Sequence, residues 1–95
     1  MEGIIIMIQY HLAITGKVQG VGFRYFVQMK AIEYNVNGWV RNKDNGSVEA
    51  VISGPKETLA SFIDDIKKGN RFAAVHHVDI TEQEPEHFRS FSIRY

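Results

Sequence analysis

The residues best suited to chemistry lie in the run Ile14-Thr15-Gly16-Lys17-Val18-Gln19-Gly20-Val21-Gly22-Phe23-Arg24, where a strand-like segment passes through three glycines into a helical pattern. At such a junction the N–H groups of the first helical turn have no helical acceptor, and the helix dipole adds partial positive charge. Glycines also let successive N–H groups converge on one centre. An anion fits that cradle. Arg24, in the first turn, could fold back and grip two oxygens of the same anion through charge-assisted bonds. The same residues also fit a plain tight turn with Arg24 solvated, and the loop alone does not decide between the two. Known phosphate loops do not match: the Walker pattern needs Gly-Lys before Ser or Thr where this chain has Gly20-Val21-Gly22, and GxGxxG fails at Tyr25. A phosphotyrosine-phosphatase loop needs a cysteine, and the chain has none.

The loop must be held by the elements on either side of it. Ile8, Tyr10, Leu12 and Ile14 alternate with Gln9, His11 and Ala13, the period of a strand with one buried face. Phe23, Phe26, Val27, Ala31 and Tyr34 follow at spacings of three and four, predicting a helix closed by Asn35, a residue that tolerates the left-handed conformation, with Gly38 soon after. Trp39 to Arg41 and Ser47 to Ser53 are β-rich runs joined through Asp44-Asn45-Gly46, which predicts an antiparallel hairpin. Gly54 and Pro55 open a second helix with an apolar stripe at Leu59, Phe62, Ile63 and Ile66, stopped at Gly69 after Lys67 and Lys68. Two further β-like runs, Val75 to Thr81 and Phe88 to Tyr95, flank the charged stretch Glu82 to His87. The order β-α-β-β-α-β with an extra C-terminal strand predicts an α+β fold of the ferredoxin-like, split βαβ kind: two helices on one face of an antiparallel sheet, as a single domain over residues 1–95. That fold hosts many functions, so function has to come from a site.

Composition narrows the site. A 95-residue chain buries only roughly two-thirds of its unfolded surface, enough for one core and one shallow site. A hydrophobic fraction of 44% with 23% charged residues is that of a chain that folds. Eleven basic and eleven acidic residues leave no net charge, so the footprint of a general nucleic-acid binder is missing and any anion site must be local. Without cysteine there is no disulfide, thiolate nucleophile or cysteine-bound metal. The short apolar run Ile4 to Ile8 is neither a signal peptide nor a membrane span, so the expectation is a cytoplasmic protein without a membrane partner.

Two longer motifs now carry a resemblance. The run Gly16-Lys17-Val18-Gln19-Gly20-Val21-Gly22-Phe23-Arg24 resembles the first signature of the acylphosphatase family. Gly38-Trp39-Val40-Arg41-Asn42, followed by Gly46-Ser47-Val48-Glu49 and Gly54, resembles its second. The resemblance spans the whole chain; Asn45 and Asn35 depart from residues common in the family, and both substitutes tolerate positive φ. It implies hydrolysis of a small-molecule acyl phosphate by a free-standing enzyme, a monomer as the simplest expectation. It further implies that Gly16, Lys17, Val18, Gln19, Gly20, Val21, Gly22 and Phe23, with the Arg24 guanidinium, bind the substrate phosphate, while the Asn42 amide positions the attacking water. An amide is no base, and neither motif offers an Asp, Glu or His placed for general-base work. That suits a carboxylate leaving group, which departs without a protonating acid, and it needs no metal and no cofactor.

Other candidates have plainer readings. Adjacent His76 and His77 face opposite sides of a strand and cannot chelate one metal, and His11 and His87 are isolated. Trp39, Phe62, Phe72, Phe88 and Phe91 read as core or sheet-face packing. Asn45-Gly46-Ser47 reads as a turn more than a glycosylation site, Glu33, Asp64, Asp65 and Glu82 to Glu86 as solvated charge, and Lys17 and Arg41 as exposed. The alternative from another class is a non-catalytic phosphate- or RNA-binding ferredoxin-like module, since Gly20 to Phe26 superficially resembles an aromatic RNA-binding motif. In RNA-recognition modules that motif lies on a strand, and here it opens a helix.

Overall fold

The computed structural model describes residues 3–95. Strand β1, Met7–Lys17, leads through a glycine loop to helix α1, Phe23–Tyr34. The hairpin of β2, Asn37–Asn42, and β3, Val48–Pro55, follows, then helix α2, Lys56–Lys68, and strands β4, Ala74–Gln83, and β5, Phe91–Arg94. The sheet order is β4-β1-β3-β2-β5. By register Leu12 and Ile14 of β1, Val48, Ala50 and Ile52 of β3, and Val40 of β2 share one face. They form one core with Phe23, Val27 and Ala31 of α1 and Leu59, Phe62, Ile63 and Ile66 of α2. Across the helix layer the Tyr34 hydroxyl donates to Asp65 at 2.8 Å and Lys30 sits 3.4 Å from the same carboxylate. Asp65 is therefore half-buried and paired, where the sequence suggested solvated charge.

Local chemistry explains the element ends. Asn35 ends α1 at φ 57°, its N–H donating back to the last turn. Gly38 lies inside β2 at φ 139°, where a Cβ would overlap the carbonyl oxygen of Val51. Pro55 closes β3 in an extended conformation at the N-cap of α2, one position before the first turn in which the sequence placed it.

The sheet is mixed, whereas an antiparallel one was expected: β5 pairs with β2 in parallel. The physical reason is the path of the chain after β4. Gln83, Gln9, Ser53 and Asn37 form one cross-strand row on the face away from the helices. The following segment runs along that row, where Gln9 and Glu86 exchange hydrogen bonds of 2.9 and 2.7 Å, and Asn37 donates to the Phe88 carbonyl at 3.0 Å. It delivers Phe91 beside Gly38 at the start of β2, so β5 runs upward with it. The C-terminal ends of β1, β2 and β5 consequently lie at one end of the sheet. Glu86, read from sequence as solvated charge, is the anchor of this crossing.

Candidate active site

The sequence-predicted loop is partly strand. Gly16 and Lys17 pair with Val75 and Ala74 of β4 after a bulge, and a Cβ on Gly16 would overlap the Ala74 carbonyl oxygen. Gly16 is a sheet-packing glycine, and the Lys17 side chain is exposed. Beyond them Val18 is buried in the core, and Val21 packs against it while its carbonyl accepts from Asn70 at 3.2 Å. Gln19 turns the other way: its Nε2 donates to the carbonyls of Lys43 at 2.7 Å and Ser47 at 2.8 Å, tying the loop to the β2–β3 hairpin. Gly20 and Gly22 adopt φ near 70°, a conformation that disfavours any side chain.

Gly22 is the N-cap of α1. No side chain caps the helix and no acid stands in its first turn. The first intrahelical bond runs from the Phe26 N–H to the Gly22 carbonyl at 3.1 Å, so the N–H groups of Phe23, Arg24 and Tyr25 have no helical acceptor. Positive potential at this helix end is therefore left without a counter-charge from the helix itself. Phe23 is buried and fixes the turn on the core.

These pieces meet in a cleft of about 280 Å³. Val18, Gly20, Gly22, Phe23 and Arg24 line one side, and Asn42 enters from the end of β2. Gly16, Lys17, Gln19 and Val21 are not among its lining residues. Arg24 is half-buried; its Nη1 donates weakly to the Arg94 carbonyl at 3.4 Å, and its guanidinium lies 4.7 Å from the Tyr95 ring centre. Oδ1 of Asn42 is buried and accepts no hydrogen bond from any described protein group. Leaving such an acceptor unpaired costs about 1–3 kcal/mol, a cost tolerated where the atom has a ligand to hold. No Asp, Glu or His lines the cleft, and among the described residues no three His, Asp or Glu side chains gather as a metal site.

Three lining residues, Tyr25, Ile93 and Tyr95, were not singled out from sequence. Ile93 and Tyr95 reach the cleft only because β5 docks beside β2. On the opposite face, Glu49 bridges His11 and Arg41, both at 2.6 Å. Burial pushes the Glu49 carboxyl up, but the bonds from His11 and Arg41 outweigh it and hold the group below its ordinary range. His11 is thus paired, where the sequence left it isolated. Trp39 is flanked on that face by the Arg94 and Arg41 guanidiniums, at 4.5 and 5.6 Å. Phe72, expected to pack, is 63% exposed. Asn45 behaves as a turn residue, its Oδ1 accepting from the Ser47 N–H at 3.0 Å and from Ser47 Oγ at 2.6 Å. The aromatic run Phe23 to Phe26 lies on α1 with Phe23 in the core, which removes the sheet-face presentation that an RNA-recognition motif requires.

Comparison with known proteins agrees with this fold. A family model described as Acylphosphatase matches residues 10–93. The chain is 49% identical over 90 residues to an acylphosphatase of Bacillus velezensis, covering 94% of this chain and 100% of that one. The fold matches the crystal structure of an acylphosphatase from Bacillus subtilis with a TM-score of 0.90 at 45% identity, over 93% of this chain and 99% of the other. An acylphosphatase from Coxiella burnetii matches with a TM-score of 0.88 at 35% identity, over 93% of both chains. With a family model over most of its length and relatives this similar, the chain belongs to the acylphosphatase family.

Proposed function

We propose that the chain hydrolyses the carboxyl–phosphate bond of small acyl phosphates to a carboxylate and inorganic phosphate, in the cleft between Arg24 and Asn42. The observation that carries this reading is the meeting of the uncapped α1 N-terminus and Arg24 with the buried, unpartnered Oδ1 of Asn42. The phosphoryl group lies against the N–H groups of the first helical turn. Arg24 exchanges its weak bond to the Arg94 carbonyl for charge-assisted bonds to two phosphate oxygens.

Asn42 Oδ1 accepts a hydrogen bond from the attacking water and turns the water's lone pair toward phosphorus. The new P–O bond forms from water as the P–O bond to the acyl group breaks, and the carboxylate leaves with the electron pair. A phosphate oxygen of the substrate takes the water's proton. A loose phosphoryl-transfer transition state asks little of the nucleophile, so the absence of a base from the cleft lining is consistent with the reaction. Catalysis is positioning plus electrostatic stabilisation by fixed dipoles and one cation, with no covalent intermediate and no step through a metal. The chain acts in this reading as a cytoplasmic monomer.

The test is turnover of acetyl or benzoyl phosphate with a metal chelator present, beside turnover of p-nitrophenyl phosphate. Hydrolysis of the acyl phosphates alone is expected. Preference for the monoester, or loss of activity with chelator, would overturn the reading.

A further inference from the structure

The glycine that lets the loop turn at the start of α1 also leaves one peptide free to turn the wrong way. The Val21–Gly22 peptide is planar and trans, so its carbonyl and its N–H point in opposite directions. Gly22 lines the cleft at φ 71°, and glycine populates positive and negative φ about equally. Nothing lies within 4 Å of where a Gly22 Cβ would stand, so close packing there does not fix the peptide. A crankshaft rotation that leaves both flanking Cα atoms in place would bring the Val21 carbonyl oxygen into the cleft and take the Gly22 N–H out of it. One side chain opposes that rotation. Asn70, in the loop between α2 and β4, donates from Nδ2 to the Val21 carbonyl at 3.2 Å. Its own amide is fixed in turn, because Oδ1 accepts from the N–H groups of Phe72 at 2.9 Å and Ala73 at 2.7 Å, which leaves Nδ2 directed at the glycine loop. Asn70 is half-buried and is not among the residues that line the cleft.

Taking the phosphate site of the reaction proposed above, we infer that Asn70 is a positioning residue: by holding the Val21 carbonyl away from the cleft it turns the Gly22 N–H into it. That N–H joins those of Phe23, Arg24 and Tyr25 as a backbone donor to the phosphate. Asn70 touches neither the substrate nor the attacking water and acts only through this peptide. Without it the peptide gains an orientation that points a carbonyl oxygen at the anion, so phosphate binding suffers while the water on Asn42 does not.

The experiment titrates inorganic phosphate into the isotope-labelled full chain and into Asn70→Ser and Asn70→Asp, follows the backbone amides by NMR, and measures kcat, KM and phosphate inhibition on benzoyl phosphate. Both variants keep an oxygen that accepts from Phe72 and Ala73, and both lose the bond to Val21: the serine hydroxyl is too short to span to it, and a carboxylate cannot donate. Melting curves verify folding. In the unmodified chain the Gly22 amide proton should move downfield on phosphate binding, together with those of Phe23 to Tyr25. In both variants the Gly22 response should be lost at saturating phosphate while the other three remain. The phosphate inhibition constant and KM should rise about tenfold, the loss of one hydrogen bond to a charged group, with kcat kept within about threefold. A Gly22 amide that ignores phosphate in the unmodified chain would overturn the inference, as would unchanged phosphate affinity in Asn70→Ser. So would weakening confined to Asn70→Asp, which would assign the effect to the added charge. The titration needs no turnover, so a chain that binds phosphate in this way yet hydrolyses no acyl phosphate would uphold the role of Asn70 and overturn the proposed reaction.

Discussion

Replacing Gln19 with alanine removes the amide that holds the glycine loop to the hairpin carrying Asn42. Two hydrogen bonds are lost, to the Lys43 carbonyl at 2.7 Å and the Ser47 carbonyl at 2.8 Å. At about 1 kcal/mol net for each, the variant should be about 2 kcal/mol less stable. For a domain of this size that corresponds to a fall in Tm of roughly 8–16 °C. Gln19→Glu keeps the shape but presents a carboxylate, which cannot donate, to two carbonyl oxygens. It also brings negative charge near the anion cradle, so it should be less stable than the alanine variant and raise KM further. Thermal melts followed by far-UV circular dichroism and benzoyl phosphate kinetics at 25 °C give the order Gln, Ala, Glu for stability and the reverse for KM. A glutamate variant with unchanged Tm and KM would refute the view that this amide aligns the two halves of the site.

Gly38→Ala should cost roughly 3 kcal/mol or more, because the new Cβ overlaps the Val51 carbonyl oxygen at a φ of 139° that strains any other residue; urea denaturation measures it. Glu49 is held below its ordinary pKa in the folded chain by His11 and Arg41, which outweigh its burial. Its contribution to stability is therefore full above its unfolded pKa and lost as pH falls through the lower folded value. Melts between pH 7 and 3 should show Glu49→Gln destabilised at the neutral end, with the gap to the unmodified chain closing as pH falls. A gap that stays constant across that range would contradict the pairing.

The strands and helices were legible because each repeats with its own period and ends on a residue with a reason to stop, such as Asn35 or Gly69. The Asn45-Gly46 turn fixed the hairpin in the same way. The parallel docking of β5 was not legible, since it depends on Gln9 and Asn37 holding a segment 51 to 77 residues away. Ile93 and Tyr95 were missed as cleft residues for that reason. Arg24 and Asn42, singled out through the two motifs, both line one cleft, but motif membership could not divide the nine loop residues into roles. Gly16 serves the β4 contact, Gln19 reaches the hairpin, and Gly20 and Gly22 shape the turn. His11 looked isolated because its partner, Glu49, is 38 residues away and adjacent only across the sheet.

The division of labour between Arg24 and Asn42 is tested most directly by kcat on benzoyl phosphate together with inhibition by inorganic phosphate in Asn42→Ala. The account predicts a fall in kcat of about a hundredfold or more with phosphate inhibition kept within about threefold. Arg24→Ala, which forfeits charge-assisted bonds worth roughly 1.5–3 kcal/mol each, should lose both. An Asn42→Ala enzyme that retains more than about a tenth of kcat, against the hundredfold loss expected of a displaced reacting group, would contradict the role of Asn42 in holding the attacking water.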